Sequence, residues 1–218
     1  AKELAAHLED LVTKDGFEFY VLADGSSQQE YMPVGVAFGT TDGKTSYVPI
    51  DNDVLLAQGL TLGTFKEIFG RVLEHKKPIK CGYDTKYMKH VFANVGINLA
   101  GVSDDVMLES YVLEAHRSHT IEKLAANWLK YELRGEEELL GKGAKKLSFS
   151  QVSVEKAAEF ASERVFIVSR LNRLFKKALS DDAKLEKIYR DIEMPLSDVL
   201  FKMEQNGVLI DTKLLDQQ

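Results

Sequence analysis

The chain has 218 residues, 44% of them hydrophobic and 28% charged, a composition typical of one globular domain with a short appended piece. Its net charge of −6 and its pI near 5.5 are unlike the basic surplus of a free-standing nucleic-acid-binding protein. No apolar run approaches the roughly 18 residues of a membrane span, and a single cysteine, Cys81, excludes an internal disulfide. We therefore expect a cytoplasmic protein without membrane contact.

Both ends of the sequence indicate a fragment. The chain begins with Ala1 rather than with Met, and it lacks the basic start and apolar middle of a signal peptide. It stops at residues 214–218, in what reads as the first turn of a helix. We expect a piece of a longer protein.

The first predicted elements are one helix and three strands. Leucines at helical spacing predict an amphipathic helix over residues 2–13. Apolar runs separated by a short loop and by an Asp42-Gly43 hairpin turn predict strands at residues 17–23, 34–38 and 45–50. Strands joined by such short links favour an antiparallel meander.

After residue 60 the apolar residues recur mostly with the helical period of 3.6. Short apolar runs predict two further strands, at residues 79–81 and 102–105. Helices are predicted at residues 62–73, 84–94, 106–115, 120–129, 153–179 and 182–205. Gly96 is the expected C-cap of the helix at residues 84–94, and Pro195 should kink or interrupt the helix at residues 182–205. Residues 132–150, between the helices at 120–129 and 153–179, form a polar segment, and within it we expect residues 141–146 to be a mobile basic loop. Strands that alternate with helices indicate a mixed α/β sheet covered on both faces.

Several local strings resemble one family over nearly the whole chain. The longest are Ser103-Asp104-Asp105-Val106-Met107-Leu108-Glu109-Ser110-Tyr111 and Leu124-Ala125-Ala126-Asn127-Trp128-Leu129. They resemble the 3′→5′ proofreading exonuclease domain of bacterial DNA polymerase I, a family A polymerase of DNA replication and repair. The resemblance implies a ribonuclease-H-like fold with a five-stranded mixed sheet. It divides the chain into an exonuclease-like domain, residues 1–180, and a helical connection to a polymerase domain, residues 181–218.

The resemblance also implies which positions carried catalysis. That family hydrolyses the terminal phosphodiester with two Mg²⁺ or Mn²⁺ ions, which are held by four carboxylates, while a tyrosine helps to orient the water. The D-x-E motif falls on Tyr20 and Leu22, and the second metal-binding Asp falls on Met88. The Y-x-x-x-D motif falls on Phe160 and Arg164. All five positions depart from the family pattern, so we expect no bound metal and no catalytic residues.

Replacements as varied as these, in three separate segments, indicate natural decay rather than an engineered change. Arg164 is the most informative of them, because a guanidinium repels divalent cations and pairs with carboxylates. We expect its partner to be Asp24, which shares the strand face of Tyr20, or Asp84, one helical turn before Met88.

Two alternatives to an inactive domain remain open. In the first, the chain is an active exonuclease with a displaced metal site built from Asp24, Asp84 and Glu163. In the second, it guides single-stranded DNA without cutting it, through base stacking on Tyr87 and phosphate contacts from the loop lysines, which are Lys142, Lys145 and Lys146.

Two other features favour ordinary structural roles. His116 and His119 lie near Glu114 but lack a third convergent metal ligand. The cations between Arg164 and Lys177 read as one solvated helix face.

Our leading hypothesis is a silent exonuclease-like module of a monomeric polymerase. Its partners would be the polymerase domain of the same chain and, through the whole enzyme, DNA.

Overall fold

The computed structural model describes residues 16–39, 43–51 and 59–210. The helix predicted over residues 2–13 lies outside these ranges, as does the first half of the predicted hairpin turn at residues 41–44. Within the described part of the chain, no helix is both long and apolar enough to cross a membrane.

One mixed sheet forms the middle layer of the fold. In chain order its strands are β1 (Gly16–Asp24), β2 (Met32–Gly39), β3 (Thr45–Asp51), β4 (Leu60–Thr61), β5 (Ile79–Gly82) and β6 (Val102–Asp105). Their spatial order is β4-β3-β2-β1-β5-β6. The predicted meander is confirmed, because β1 pairs antiparallel with β2, and β2 with β3. The sheet has six strands rather than the expected five, because the two-residue β4 adds in parallel to the edge strand β3.

Eight α-helices follow the meander or connect the later strands of the described chain. They are α1 (Leu62–Glu74), α2 (Thr85–Asn94), α3 (Val106–Leu113), α4 (Ile121–Leu124), α5 (Glu136–Leu140), α6 (Val154–Ser180), α7 (Ala183–Ile188) and α8 (Met194–Asn206). A π turn, Ala125–Leu129, extends α4, and a second one, Tyr189–Glu193, joins α7 to α8.

The polar segment at residues 132–150 is more ordered than the sequence suggested. It holds α5 and two short 3₁₀ turns, Gly143–Lys145 and Phe149–Gln151. Leu140 and Phe149 anchor this segment in the core at 4% and 8% exposure. Residues 141–146 between them are exposed, and their mobility stays a prediction. The buried apolar residues of the segment, Leu133, Leu140 and Phe149, are seven and nine positions apart, which is too far to produce a visible period.

The alternation of side chains along β1 sends successive residues to opposite layers. Phe17, Phe19 and Val21 pack with α1 and α2, where the Phe38 and Phe69 rings stack at 5.1 Å. On the other face, Leu22 packs against the long helix α6. Helices therefore cover both faces of the sheet, as predicted, and β1 contributes to both cores.

Helix ends follow the capping chemistry of the sequence. Asp84 caps α2 with a left-handed backbone, φ +53°, and its carboxylate accepts a hydrogen bond from the Tyr87 amide at 3.2 Å. Gly96 follows that helix with φ +73°, which a glycine adopts without strain. Pro195 lies in the first turn of α8, where no intrahelical N–H is needed, directly after the π turn. The predicted interruption of the last helix is confirmed.

Helix α3 carries a buried carboxylate, Glu109. Glu109 is fully buried, and neither of its carboxylate oxygens has a hydrogen-bond partner within the described ranges. Its neighbour Asp104 instead forms ion pairs with Lys176 at 2.7 Å and with Arg190 at 2.9 Å. Burial, followed by the Asp104 charge, raises the pKa of Glu109 to about 9.

We predict that Glu109 makes stability fall as the pH rises. A folded-state pKa near 9, above the ordinary value of 4.5, means that the folded chain binds the proton more tightly than the unfolded chain between these two pH values. The free energy of unfolding, measured in urea, should decrease between about pH 5 and about pH 9 by roughly 2 kcal/mol or more relative to a Glu109→Gln variant. Parallel pH curves for the two proteins would contradict this.

The exposed Glu132, changed to Gln, is the matched control. It removes the same charge from a solvated position, and its pH curve should follow that of the unaltered chain.

Candidate functional site at the Tyr20 cleft

The five positions that match the family's catalytic residues come from three elements. Tyr20 and Leu22 lie on β1, Met88 lies on α2, and Phe160 and Arg164 lie one turn apart on α6. Leu22 and Phe160 belong to one apolar cluster, whereas Met88 belongs to the cluster on the opposite face of the sheet. Tyr20 packs against both clusters. Four of the positions therefore lie together, whereas Met88 belongs to the cluster on the opposite face, which Tyr20 also contacts.

The Arg164 side chain is the central group of this arrangement. It is completely buried, and its guanidinium carbon lies 3.3 Å from the centroid of the Phe160 ring and 5.9 Å from that of Tyr20. Planar guanidinium groups stack on aromatic faces in this way. Its Nη2 donates to the Arg134 carbonyl at 2.7 Å and to Glu122 Oε1 at 3.1 Å.

The expected partner of Arg164 is wrong. Its carboxylate partner is Glu122 on α4, not Asp24 or Asp84. Asp24 instead accepts hydrogen bonds from the Phe149 amide at 2.6 Å and the Ser150 amide at 3.1 Å. Both expected partners therefore bind backbone N–H groups at the start of a helical turn, where a negative charge is favourable.

Asp84 has an acidic neighbour, Asp105. Its backbone N–H donates to Asp105 Oδ1 at 3.2 Å, and Asp105 also accepts from the Thr85 amide at 2.7 Å and the Thr85 hydroxyl at 2.8 Å. Burial, followed by the Asp105 charge, raises the pKa of Asp84. These two carboxylates hold the β5–α2 connection to the start of α3.

The donor atoms at the five positions do not fit two divalent cations. Mg²⁺ and Mn²⁺ prefer anionic oxygen ligands, whereas Leu22 and Phe160 offer carbon, Met88 a thioether and Arg164 a cation. In the described ranges, no group of three or more His, Cys, Asp or Glu side chains is arranged to hold a metal ion. Burial raises the pKa of the Tyr20 phenol to about 12, against the opposing effect of Arg164, so this hydroxyl stays neutral.

A cleft of about 570 Å³ opens beside Tyr20. Its charged lining consists of four carboxylates and one ammonium group, which belong to Glu122, Glu136, Glu137, Glu138 and Lys142. The ammonium group is already paired with Glu137 at 2.7 Å. The cleft therefore has a strong negative excess, which repels the phosphates of a DNA strand.

The predicted nucleic-acid contacts do not converge on one surface of this cleft. Lys142 lines it, whereas Lys145 and Lys146 are exposed on the following 3₁₀ turn and are not part of its lining. Tyr87 is half-buried against the core on the other layer, with its ring edge-on to Tyr31 at 4.9 Å. Its role in base stacking stays a prediction.

Two groups of the sequence analysis have local partners. Glu163 accepts a hydrogen bond from Tyr131 at 2.6 Å and lies 3.8 Å from Arg134. His119 Nδ1 lies 3.0 Å from the Ser110 hydroxyl, while its backbone carbonyl accepts a hydrogen bond from Tyr83.

Sequence reasoning missed Glu122 and the Arg134 carbonyl. They lie 42 and 30 positions before Arg164, and only the folded chain brings them together. A weak signal existed for Glu122: it is the one acid in the first turn of α4, on a helix whose other face is apolar.

The chain matches a family model described as "DNA polymerase I, ribonuclease H-like domain" over residues 28–171. It is 36% identical to DNA polymerase I of Pseudomonas aeruginosa over 194 residues, which cover 87% of this chain and 21% of that protein. It is 28% identical to DNA polymerase I of a Synechocystis species over 225 residues, which cover 98% of this chain and 22% of that protein. The chain thus spans about a fifth of the length of these relatives.

Solved structures have the same fold. The POL domain of Pol1 from M. smegmatis, in complex with a DNA primer-template and dNTP, matches with a TM-score of 0.77 and 23% identity, covering 99% of this chain and 33% of that one. NrnC of Brucella melitensis with bound Mg²⁺ matches with a TM-score of 0.65 and 14% identity, covering 93% and 92% of the two chains. At these identities, the likeness concerns the fold alone.

We predict that Arg164→Ala lowers the free energy of unfolding by roughly 2–4 kcal/mol, because it leaves a carboxylate and a carbonyl unpaired and opens a cavity beside Phe160. Glu122 keeps part of its solvent contact, which reduces this loss below that of a fully buried pair. Arg170→Ala, on an exposed position of the same helix, should change it by no more than about 0.5 kcal/mol. Urea unfolding measures both, and equal losses would contradict a structural role for Arg164.

Proposed function

Because the chain belongs to the family of the DNA polymerase I, ribonuclease H-like domain, we propose that it is a catalytically inactive 3′→5′ exonuclease-like domain. It serves as a structural module of a DNA polymerase. It needs no divalent metal for this role, and its scaffold supports the rest of the polypeptide.

The observation that carries this proposal is the burial of Arg164 at a position where the family has a metal-binding carboxylate. The guanidinium is held by the Phe160 ring, by Glu122 and by the Arg134 carbonyl. A divalent cation at this point would face a fixed positive charge in a site shielded from water, where charges interact strongly. Partners are present for Nη1 and Nη2 of Arg164, whereas its buried Nε has none in the described part of the chain.

The displaced metal site receives little support from Asp24 and Asp84. Each carboxylate accepts backbone hydrogen bonds at the start of a helix or 3₁₀ turn. A metal ion would have to compete with these bonds for the same oxygen lone pairs. Glu163 is engaged with Tyr131 on α6.

A guiding role for the cleft receives little support from its charge. Four carboxylates line it against one paired ammonium group. A strand that entered it would place phosphates beside these carboxylates at a distance where repulsion is weakly screened.

The first experiment is a nuclease assay on a 5′-labelled single-stranded oligodeoxynucleotide with Mg²⁺ or Mn²⁺. We expect no shortening of the substrate above the background without protein, because the chain lacks a carboxylate set that could activate water. Shortening that disappears in Asp24→Ala or Asp84→Ala would refute the proposal. Activity that is unaffected by both substitutions identifies a contaminating nuclease.

A surface on α7 and α8 indicates how the module meets its partner. Along 16 residues, one side of these helices exposes apolar side chains, each at least 39% accessible: Ile188, Ile192, Leu196, Val199 and Met203. An apolar stripe this long on a helix is typical of a protein interface.

The opposite side of α8 is fixed to α2 by polar contacts. Lys86 pairs with Glu204 at 2.6 Å, and Lys89 pairs with Asp198. His90 Nε2 lies 2.7 Å from Glu204 Oε2 and its ring meets Phe201 edge-on. We propose that the stripe, held in this orientation, packs against the polymerase domain of the same polypeptide.

We predict that the amides of residues 188–203 exchange with solvent deuterium more slowly in a longer polypeptide that includes the polymerase domain than in the 218-residue chain. Burial of the stripe should suppress local opening of these helices. Mass spectrometry of matched peptides measures the difference, and residues 155–163 on α6 serve as the internal control. Equal exchange rates in both proteins would show that the stripe has another role.

A further inference from the structure

The second half of α6 carries a basic surface on the side turned away from the sheet. From Val165 to Ser180 the helix contains four cationic residues and no acidic one. Sequence analysis grouped these cations with Arg164 as one solvated face. The structure separates them, because Arg164 is buried at the Tyr20 cleft and Lys176 is paired with Asp104.

Three cations remain on the exposed face, Arg170, Arg173 and Lys177. No ion pair to any of them occurs within the described part of the chain. Phe166 precedes them by one turn and is 45% exposed, and the Arg170 guanidinium lies 5.9 Å from its ring centroid. We call these four residues the α6 basic face.

The helix dipole does not explain this charge pattern. Cations are favourable within the last turn of a helix, and the effect is small beyond it. Only Lys177 lies in the last turn of α6. Arg170 and Arg173 lie two to three turns before the end of the helix. An exposed aromatic ring has no part in a dipole effect either.

We propose that the α6 basic face binds the backbone of single-stranded nucleic acid. Arg170, Arg173 and Lys177 follow one side of the helix at i, i+3 and i+7, a span of about 10 Å. The three cations can therefore contact about three phosphates of one strand.

The chemistry of the face favours nucleic acid over an acidic protein. Phe166 gives a base a flat surface on which to stack, at the end of the row of charges, and Arg170 already covers part of that ring. An acidic protein could pair with the three cations, but it would leave the exposed ring of Phe166 without a role. The site is separate from the acidic cleft and does not depend on whether the cleft is catalytic.

The test measures the affinity of the whole 218-residue chain for a fluorescent oligo-dT of about 20 nucleotides by anisotropy, without divalent metal. Three phosphate contacts predict a slope near −2 for log K against log salt concentration. Binding should therefore weaken about 16-fold between about 50 and 200 mM salt.

The variant Arg170→Gln/Arg173→Gln/Lys177→Gln should bind at least tenfold more weakly at low salt and lose most of the salt dependence. The control Lys123→Gln/Lys156→Gln/Lys184→Gln removes the same charge from other exposed positions and should bind within twofold of the unaltered chain. Phe166→Ala should weaken binding of the single strand but not of a duplex of equal length.

Three results would overturn the proposal. In the first, the triple basic-face variant binds as well as the unaltered chain. In the second, the control variant loses as much affinity as the basic-face variant. In the third, Phe166→Ala has no effect and poly-glutamate displaces the oligonucleotide at equal charge concentration. The last result would assign the face to an acidic protein. Circular dichroism verifies the fold of each variant, and Arg173→Gln alone replaces the triple variant if that one unfolds.

Discussion

The buried guanidinium of Arg164 connects the elements on which the rest of this structure depends. It stacks on Phe160 of its own helix, lies over Tyr20 of the central strand, and bonds to Glu122 of α4 and to the carbonyl that precedes α5. Burying a charge is costly unless the charge is paired and hydrogen-bonded. Here three segments of the chain supply the partners, so the position of each is fixed by the same group. This arrangement ties Glu122, which lines the acidic cleft, and the Arg134 backbone to α6.

The acids near the site accept hydrogen bonds from the backbone. Asp24, Asp84 and Asp105 each accept main-chain hydrogen bonds where a helix or a 3₁₀ turn begins. This use satisfies groups that folding would otherwise leave unpaired. It also places negative charge only where the peptide dipoles compensate it. The scaffold therefore holds carboxylates near the Tyr20 cleft without gathering them around one point.

Much of this fold could be predicted from the sequence, because it rests on local rules. Apolar periods located the strands and most helices, Asp84 and Gly96 marked the ends of α2, and Pro195 marked the break before α8. What could not be predicted depends on contacts between distant segments. Glu122 is 42 positions from Arg164, β4 is too short to have a period, and α5 is held by a single buried leucine. Met88 lies in the opposite layer because α2 covers the other face of β1, and residue types alone do not show that.

Helix α8 is attached in two different ways, and ionic conditions act on them in opposite directions. Its contacts with α2 are mainly ion pairs, several of them partly open to solvent, and salt weakens such pairs by screening. Its other side is an apolar stripe, whose tendency to associate is strengthened by salts such as sulfate and phosphate. A rise in the concentration of these salts would thus loosen the helix from this domain while tightening its hold on whatever covers the stripe. How strongly α8 connects this domain to the partner of its apolar stripe therefore depends on the solution as well as on the chain.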